Sequence, residues 1–297
     1  MILTILLSWA VVSLSSAFMR QAPDYESPLE NQLLMGALVQ TGESSRYWVQ
    51  VESDDYRGWV TEMGLIMLSD EQKDAYLRAP KWICTVVSTY VRVAPAENAQ
   101  PLGDLIMGNL LRQTGITQGS WTFVLLPDDR SGWVQSTALT DFRSWAEERN
   151  ARLDDSAACA RAVCNLACRF AGTPYMWGGN NVKYFDCSGL VEFCFLMNGL
   201  LLPRNASQQA RCGSPVTDGA YEPGDLLFFG SNSPLRISHV GIYLGDGRIV
   251  HSSQMVRINS LESYGREVVA ATRIFGNTGK GAISILSSPY YFEQNGD

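Results

Sequence analysis

The sequence is poor in basic residues and, beyond its first residues, in long apolar runs. Its 297 residues contain 23 Lys and Arg against 30 Asp and Glu, which gives a formal net charge of -7. Binding to nucleic-acid phosphates needs a basic face that this composition does not supply, so we expect no nucleic-acid partner. No stretch beyond residue 17 approaches the ~18 continuous apolar residues of a membrane helix, so we expect no membrane span in the mature protein.

The cysteine content argues against a disulfide framework. The sequence has 7 cysteines, an odd number, in a chain much longer than the small Cys-dense domains that disulfides hold together. Cys164 and Cys168 lie four residues apart in a predicted helix, where small buried hydrophobes are a commoner explanation than a metal site. We therefore expect no metal ligands among them.

The one long apolar stretch lies at the start of the chain. Residues 1–17 are mostly apolar, carry no charged residue and end on Ser15-Ser16-Ala17, a small-residue pattern of the kind that signal peptidase accepts. The pattern predicts a signal peptide cleaved after Ala17 and an exported protein, periplasmic or extracellular. A buried first helix is the alternative, because no Lys or Arg precedes the apolar residues.

The first half of the chain contains an internal repeat. Residues 35–65 align with residues 107–139 at four separate points, among which Gly58-Trp59-Val60 in the first copy matches Gly132-Trp133-Val134 in the second. Short alternating runs separated by Asp, Gly and Ser predict antiparallel strands, for which a small β-barrel is the natural closure. The repeat resembles the bacterial SH3-like domain family, and we expect one such domain at 18–75 and another at 76–145.

The pattern changes after Leu139. Residues 154–170 carry apolar residues at helical spacing behind a possible Asp cap, and a second helix is predicted from Asp186. Strand-like segments follow at 225–230, 239–244, 248–251 and 267–275. Helices followed by an antiparallel sheet indicate an α+β domain, which we place at 146–297.

The whole sequence has only 2 histidines, His239 and His251, both on predicted adjacent strands. Cys187 precedes them at a predicted helix start, where a thiol can be activated by the helix terminus and an imidazole. A second polar group must orient that imidazole, and His251 could do so. The residues alone leave two interpretations open: a catalytic set, or a buried structural Cys with two surface histidines.

Five linked motifs decide between these interpretations. They are GTPYMWGG (172–179), FDCSGLV (185–191), PRNASQQ (203–209), EPGDLLFFG (222–230) and SHVGIYLGDGRIVHSS (238–253). In this order they resemble the papain-like NlpC/P60 cysteine peptidases. The resemblance implies that Cys187 is the nucleophile, His239 the general base and His251 the third member of the catalytic set.

The resemblance also implies roles for the residues around the nucleophile. The Tyr175 hydroxyl would help the Cys187 backbone N–H to stabilise an oxyanion. Asp186 and Ser188 would bind substrate or cap the helix. The implied reaction is acyl transfer with no metal or organic cofactor, from a Cys187 thiolate that stays charged near neutral pH beside an imidazolium.

Two SH3-like modules before such a domain resemble the γ-D-glutamyl-L-diamino acid endopeptidases, which release L-Ala-γ-D-Glu from wall peptides with a free N-terminal L-Ala. That resemblance implies an acidic residue and a tyrosine from a module in amine binding, for which Glu62 and Tyr90 are the candidates. The related enzymes carry Asp where this chain has Asn205. An amide cannot neutralise an ammonium, so the free-amine requirement is in question here.

Three functions remain open at this point. The first is a peptidase acting on soluble peptidoglycan-derived peptides (muropeptides). The second is a hydrolase of intact peptidoglycan whose modules bind the wall. The third is a catalytically silent binding protein, with acyltransferase chemistry as a minor further possibility.

Overall fold

The protein is described from a computed structural model that covers residues 8–53, 56–232 and 234–294. Residue contacts divide the chain into two units. The first unit comprises residues 1–147 and 289–297, and the second comprises residues 148–288. We describe each unit by itself.

The first unit begins with a seven-stranded antiparallel sheet, which we call the first module. Its strands are β1 (Ser8–Val12), β2 (Ser16–Arg20), β3 (Leu29–Leu34), β4 (Leu38–Ser45), β5 (Trp48–Ser53), β6 (Tyr56–Thr61) and β7 (Leu65–Leu68), with a 3-10 turn at Glu62–Gly64. The strand order is β3-β2-β6-β5-β4-β1-β7. Alternate residues of these strands form one apolar core that includes Ala10, Val12, Val39 and Val60.

A second sheet, the second module, repeats the first. Its strands are β8 (Lys81–Cys84), β9 (Ser88–Arg92), β10 (Pro101–Ile106), β11 (Leu110–Gln118), β12 (Trp121–Leu125), β13 (Ser131–Gln135) and β14 (Leu139–Asp141), with a 3-10 turn at Ser136–Ala138. Their order, β10-β9-β13-β12-β11-β8-β14, equals that of the first sheet with every label raised by seven. The predicted duplication is therefore present in the strand topology.

The start of the first module differs from the sequence-based expectation. The predicted signal peptide covers residues 1–17, of which 1–7 lie outside the described residues. β1 pairs with β4 on one side and β7 on the other, and its Ala10 and Val12 are fully buried. β1 is also the counterpart of β8 in the second module. The first strand of the module thus lies upstream of the domain start expected at residue 18, and cleavage after Ala17 would remove this strand from between β4 and β7.

The two modules contact each other through polar groups. The Ser15 hydroxyl donates to Asp104 at 2.8 Å, and the buried Asn109 amide donates to the Ser15 carbonyl at 2.9 Å. The Leu110 N–H donates to the Met35 carbonyl at 2.9 Å, and Met35 packs into the apolar core of the second module. Shared bonds of this kind join the modules into one unit.

Helix α1 (Asp70–Arg78) connects the modules, so the boundary expected between residues 75 and 76 falls inside a helix. Ser69 caps its start through the Gln72 N–H. The Lys81 ammonium donates to the carbonyls of Leu77 and Ala79 at its end, at 3.2 and 2.9 Å. Burial lowers the pKa of Lys81 to about 8.

The last described residues also differ from expectation. Residues 146–297 were expected to form one domain, yet 289–297 belong to the first unit. The Phe292 ring stacks on Phe142 with centroids 4.9 Å apart, and Tyr290 packs edge-on against Trp9. Aromatic burial of this kind explains why the tail returns to the first unit.

The second unit combines helices with a six-stranded antiparallel sheet, which confirms the expected α+β class. Its helices are α3 (Ser156–Arg169), α4 (Cys187–Leu196), α5 (Ala206–Gln209) and α6 (Leu261–Tyr264), after α2 (Phe142–Ala151), which ends within this unit. Its strands are β15 (Asn180–Asn181), β16 (Tyr184–Phe185), β17 (Leu200–Leu201), β18 (Ser214–Pro215), β19 (Leu226–Asn232), β20 (Leu235–Gly245), β21 (Arg248–Ser253), β22 (Met255–Ser260), β23 (Val268–Arg273) and β24 (Ile283–Ser284), followed by a 3-10 turn at Ile285–Ser287. The large sheet has the order β18-β23-β19-β20-β21-β22.

The core of this unit places α4 against the sheet. The rings of Phe170, Phe185 and Phe193 pack with centroids 5.0 to 5.7 Å apart and join the end of α3, the strand before α4 and α4 itself. α4 packs on β20 and β21, the strands that carry the two histidines. No helix among residues 8–53, 56–232 and 234–294 is both long and apolar enough to cross a membrane.

Candidate active site

Cys187 is the first residue of α4. Asp186 caps the helix, because its carboxylate accepts from the Gly189 N–H at 2.7 Å, and it also accepts from the Gly178 N–H at 2.9 Å. Gly178 has φ +77, a left-handed conformation that glycine adopts without strain, and it allows the chain to turn into the helix. The nucleophile candidate is thus fixed at a helix N-terminus, where the helix dipole favours negative charge.

Asp186 and Ser188 are engaged with a buried arginine. The Arg204 guanidinium donates to Asp186 at 3.0 Å and to the Ser188 hydroxyl at 3.0 Å, and all three residues are buried. The expected alternative of helix capping is what the structure shows for Asp186. Arg204, which sequence reasoning assigned to no role, holds the turn before the nucleophile in place.

The two histidines form one bonded pair. His239 Nε2 lies 2.8 Å from His251 Nδ1, and the rings are nearly perpendicular. Gly241 on β20 lies opposite His251, where a Cβ atom would come within 3.2 Å of the His251 Cβ. The missing side chain leaves the space in which the two rings meet.

Cys187 lies beside this pair. The backbone of Val240, the residue that follows His239, interacts with its thiol and favours the thiolate form. The Ser252 hydroxyl, next to His251, donates to the Phe185 carbonyl at 2.7 Å and so ties β21 to the entry of α4. The structure therefore brings together Cys187, His239 and His251, and the alternative of two surface histidines does not hold, because both are buried.

Burial favours the neutral form of both reacting groups. It raises the pKa of Cys187 to about 11, with the nearby Asp186 charge acting in the same direction, and it lowers the pKa of His239 to about 3. Burial also lowers the pKa of His251. Both shifts favour an uncharged thiol and an uncharged imidazole, against the expected resting thiolate at neutral pH.

Tyr175 lies on the loop before the nucleophile. Its N–H donates to the Gln254 carbonyl at 2.8 Å, and the Tyr175 backbone forms an isolated parallel β-bridge with Phe185. Burial and the neighbouring Cys187 raise the pKa of Tyr175 to about 12, so its hydroxyl keeps its proton at neutral pH and can donate a hydrogen bond.

Residues 172–273, which contain all of these groups, match the NlpC/P60 family. They are an NlpC/P60 domain. Residues 19–65 match the bacterial dipeptidyl-peptidase Sh3 domain, so the first module is a domain of that kind.

Two curated proteins and one solved structure are similar to this chain. A γ-D-glutamyl-L-lysine dipeptidyl-peptidase of Bacillus cereus is 26% identical over 243 residues, which are 77% of this chain and 68% of the relative. The enzyme of that name from Bacillus subtilis is 39% identical over 39% of this chain and 41% of its own length. A crystal structure of an NlpC/P60 family protein from Bacillus cereus aligns with TM-score 0.74 and 23% identity over 90% of this chain and 99% of that one, which shows the same fold.

The remaining predicted binding residues are exposed. Asn205 is exposed at the start of α5, and its N–H donates to Gln208 at 3.0 Å. Glu62, on the 3-10 turn after β6, and Tyr90, on β9, belong to the other unit, where Glu62 is exposed and Tyr90 is 47% exposed. Their binding roles stay predictions.

Sequence reasoning missed two neighbours of the histidines. Asn259 Oδ1 on β22 lies 3.0 Å from His251 Nε2. The Tyr264 ring packs on both histidines, with centroids 5.8 Å from His239 and 4.6 Å from His251. Asn259 could have been found from the pairing of β21 with the strand that follows it, β22, but that strand was not predicted.

Proposed function

We propose that the protein is a cysteine peptidase that hydrolyses the γ-D-glutamyl bond to the diamino acid of peptidoglycan-derived peptides and releases L-Ala-γ-D-Glu. The observation that carries the proposal is the Cys187 thiol at the start of a helix, beside a bonded histidine pair, inside an NlpC/P60 domain. The names of the two Bacillus relatives indicate the bond.

The chemistry begins from the neutral pair. As the Cys187 sulfur attacks the amide carbonyl, His239 accepts the thiol proton and becomes an imidazolium. Collapse of the tetrahedral intermediate breaks the C–N bond, and His239 gives the proton to the leaving amine. Water, deprotonated by His239, then cleaves the thioester and regenerates the thiol.

Two donors are available for the intermediate's oxyanion. One is the backbone N–H of Cys187, and the other is the Tyr175 hydroxyl, whose raised pKa keeps it protonated. Asp186 and Arg204 do not enter the reaction in this mechanism; their buried pair keeps the helix entry rigid.

The test uses L-Ala-γ-D-Glu-meso-diaminopimelate and the matching L-lysine peptide, each with a free or an acetylated N-terminus, with products identified by mass spectrometry. Release of L-Ala-γ-D-Glu from the free-amine peptides alone supports the dipeptidyl-peptidase and shows that Asn205 is tolerated. Cleavage of the acetylated peptides as well indicates a broader wall hydrolase. Absence of cleavage in every peptide contradicts the proposal.

A hydrolase of intact peptidoglycan is the second candidate. The first module carries an exposed aromatic pair, Tyr25 and Tyr47, which are 49% and 40% exposed and stack with centroids 6.0 Å apart. Exposed aromatic side chains are common at binding surfaces. Sedimentation of the protein with purified sacculi, compared with a Tyr47→Ser variant, separates wall binding from action on free peptides.

A further inference from the structure

The histidine pair continues into a third group. His239 Nε2 and His251 Nδ1 are 2.8 Å apart, and His251 Nε2 and Asn259 Oδ1 are 3.0 Å apart. Both histidine side chains are at most 5% exposed, so few water molecules can compete for these nitrogens. A chain of two hydrogen bonds therefore runs from His239 through His251 to Asn259.

The chemistry of the Asn259 amide determines which ring nitrogen of each histidine carries a proton. A neutral imidazole has one N–H and one accepting nitrogen, whereas the Asn259 Oδ1 can only accept. His251 must therefore carry its proton on Nε2, which leaves Nδ1 as an acceptor. His239 must then carry its proton on Nε2 to donate to it, and its Nδ1 is left unprotonated.

We propose that Asn259 is a positioning residue that fixes the tautomer of both histidines, so that His239 presents an unprotonated Nδ1 to the Cys187 thiol. In the opposite tautomer Nδ1 would carry a proton and could not accept one from the thiol. The kinetic part of this inference rests on the proposed peptidase function, whereas the tautomers themselves do not.

The strand pairing holds Asn259 in place for this role. In the β21–β22 hairpin His251 lies opposite Arg257. Asn259 is two residues further along β22, so its side chain is on the same face of the sheet as those of Arg257 and His251. Asn259 is half-buried there.

The other groups that face the pair do not supply an acceptor for His251 Nε2. Besides burial, the positive charges of Arg257 and Arg266 lower the pKa of both histidines. Tyr264 contributes a ring face, and Cys187 interacts with the backbone of Val240, next to His239. Among the described residues, the hydrogen bonds of His251 go to His239 and Asn259. Removal of Asn259 would free His251 to adopt either tautomer.

The decisive measurement is nitrogen NMR of the full chain labelled with ¹⁵N-histidine, with any affinity tag removed. Because the sequence contains only 2 histidines, only two ring systems contribute signals. We expect both rings at pH 7.5 to be neutral with the proton on Nε2. A proton on Nδ1 of either ring would overturn the proposal.

Variants add the functional readout. In Asn259→Leu the acceptor is lost, and we expect mixed tautomers and a fall in kcat of about 10- to 100-fold with KM unchanged, since a fully wrong tautomer costs about 10⁴-fold in a Ser-His-Asp triad. Asn259→Asp keeps an acceptor oxygen, so it should retain the wild-type tautomers and most activity. Its carboxylate also raises the pKa of His251 and shifts the acid limb of the pH–rate profile upward.

The control is Asn232→Leu, the same substitution at an exposed asparagine of the same sheet, which should change neither spectrum nor kcat. Unchanged tautomers in Asn259→Leu would overturn the proposal, and so would an Asn259→Asp enzyme no more active than Asn259→Leu. If wild-type protein cleaves none of the peptides, the proposed function fails, while the wild-type spectrum still tests the tautomers.

Discussion

The candidate residues of the NlpC/P60 domain and those of the SH3-like modules lie in opposite environments. His239 and His251 are 5% and 0% exposed and bond to each other, whereas Tyr90 is 47% exposed and Glu62 is exposed on a turn. A buried polar group needs its partners in the folded chain, so its role is fixed before substrate binds. An exposed group acquires a role only when a ligand arrives.

The two modules show the same contrast on one scaffold. They share a strand order, yet the turn after β6 reads Glu62-Met63-Gly64 where the turn after β13 reads Ser136-Thr137-Ala138. The β-turn that carries Tyr47 in the first module carries Ser120 in the second. Buried positions preserve the barrel in both copies, and the charge and exposed aromatic residue at equivalent turns occur in the first copy alone.

The largest effect is expected at the buried site. Cys187→Ala should lower kcat by at least about 10⁴-fold, because no other nucleophile replaces the thiol, while leaving the unfolding midpoint nearly unchanged. Peptide turnover and urea unfolding measure the two quantities. Cys168→Ala, at a half-buried thiol of α3, is the matched control and should stay active. Turnover surviving in Cys187→Ala would place the nucleophile elsewhere.

Alkylation tests whether the buried pair is neutral at rest. Because burial raises the pKa of Cys187 to about 11, the rate of its reaction with iodoacetamide should rise about 100-fold from pH 7 to pH 9, following the thiolate fraction. The rate is measured by mass spectrometry of the peptide that contains Cys187. A rate that is already constant at pH 7 would indicate a thiolate–imidazolium pair instead.

In the first module a large effect is expected from a core position. Val12 is fully buried in β1, so Val12→Asp should lower the free energy of unfolding by several kcal/mol, on the order of 4 kcal/mol, through an unpaired buried carboxylate. Tryptophan fluorescence follows this unit, because Trp177 is the only tryptophan of residues 148–288. Leu14→Asp, at a side chain 45% exposed, should change stability little. Purified active protein that starts at Phe18 would restore the signal-peptide interpretation.

Acid should weaken the second unit more than the first, since both histidines lie in the second. The pKa of His239 is lowered to about 3 by burial, so between pH 6.5 and pH 3 the unfolded chain binds a proton that the folded chain does not. Stability from this group is complete above pH 6.5 and falls as the pH decreases through that window. Urea unfolding at pH 7.5 and pH 5 should show a smaller loss for His239→Gln than for wild type; equal losses would contradict the neutral buried imidazole.

The smallest effects are expected at the exposed candidates. Glu62→Gln and Tyr90→Phe should each raise KM for free-amine peptides by about 2- to 5-fold, the range of an exposed charge or hydrogen bond, without changing kcat. The acetylated peptide and a Glu71→Gln variant, at an exposed helix residue, serve as controls. If either substitution lowered kcat and left KM unchanged, that exposed residue would act in the chemical step and not in peptide binding.

The sequence predicted the parts of the molecule that local patterns encode. The repeat, α3 with its Asp155 cap and α4 behind Asp186 were all predicted, as were Cys187, His239 and His251. Asn259 was missed because its position depends on the register of a hairpin whose second strand was not predicted. β1 lies within the predicted signal peptide, because an apolar run is compatible with a buried strand as well as with a signal peptide. The return of Phe292 to Phe142 depends on contacts 150 residues apart, which no local pattern reveals.

The packing of Phe292 on Phe142 affects the order in which contacts form while the chain is being synthesised. The first unit is interrupted at residue 147 and resumes at residue 289, so the whole NlpC/P60 domain is translated before the final aromatic contacts of the first unit exist. Domains generally fold during synthesis in N-terminal order, at about 5 to 20 residues per second. Phe142 and Trp9 are therefore not covered by Phe292 and Tyr290 during the several seconds in which the domain between them is made.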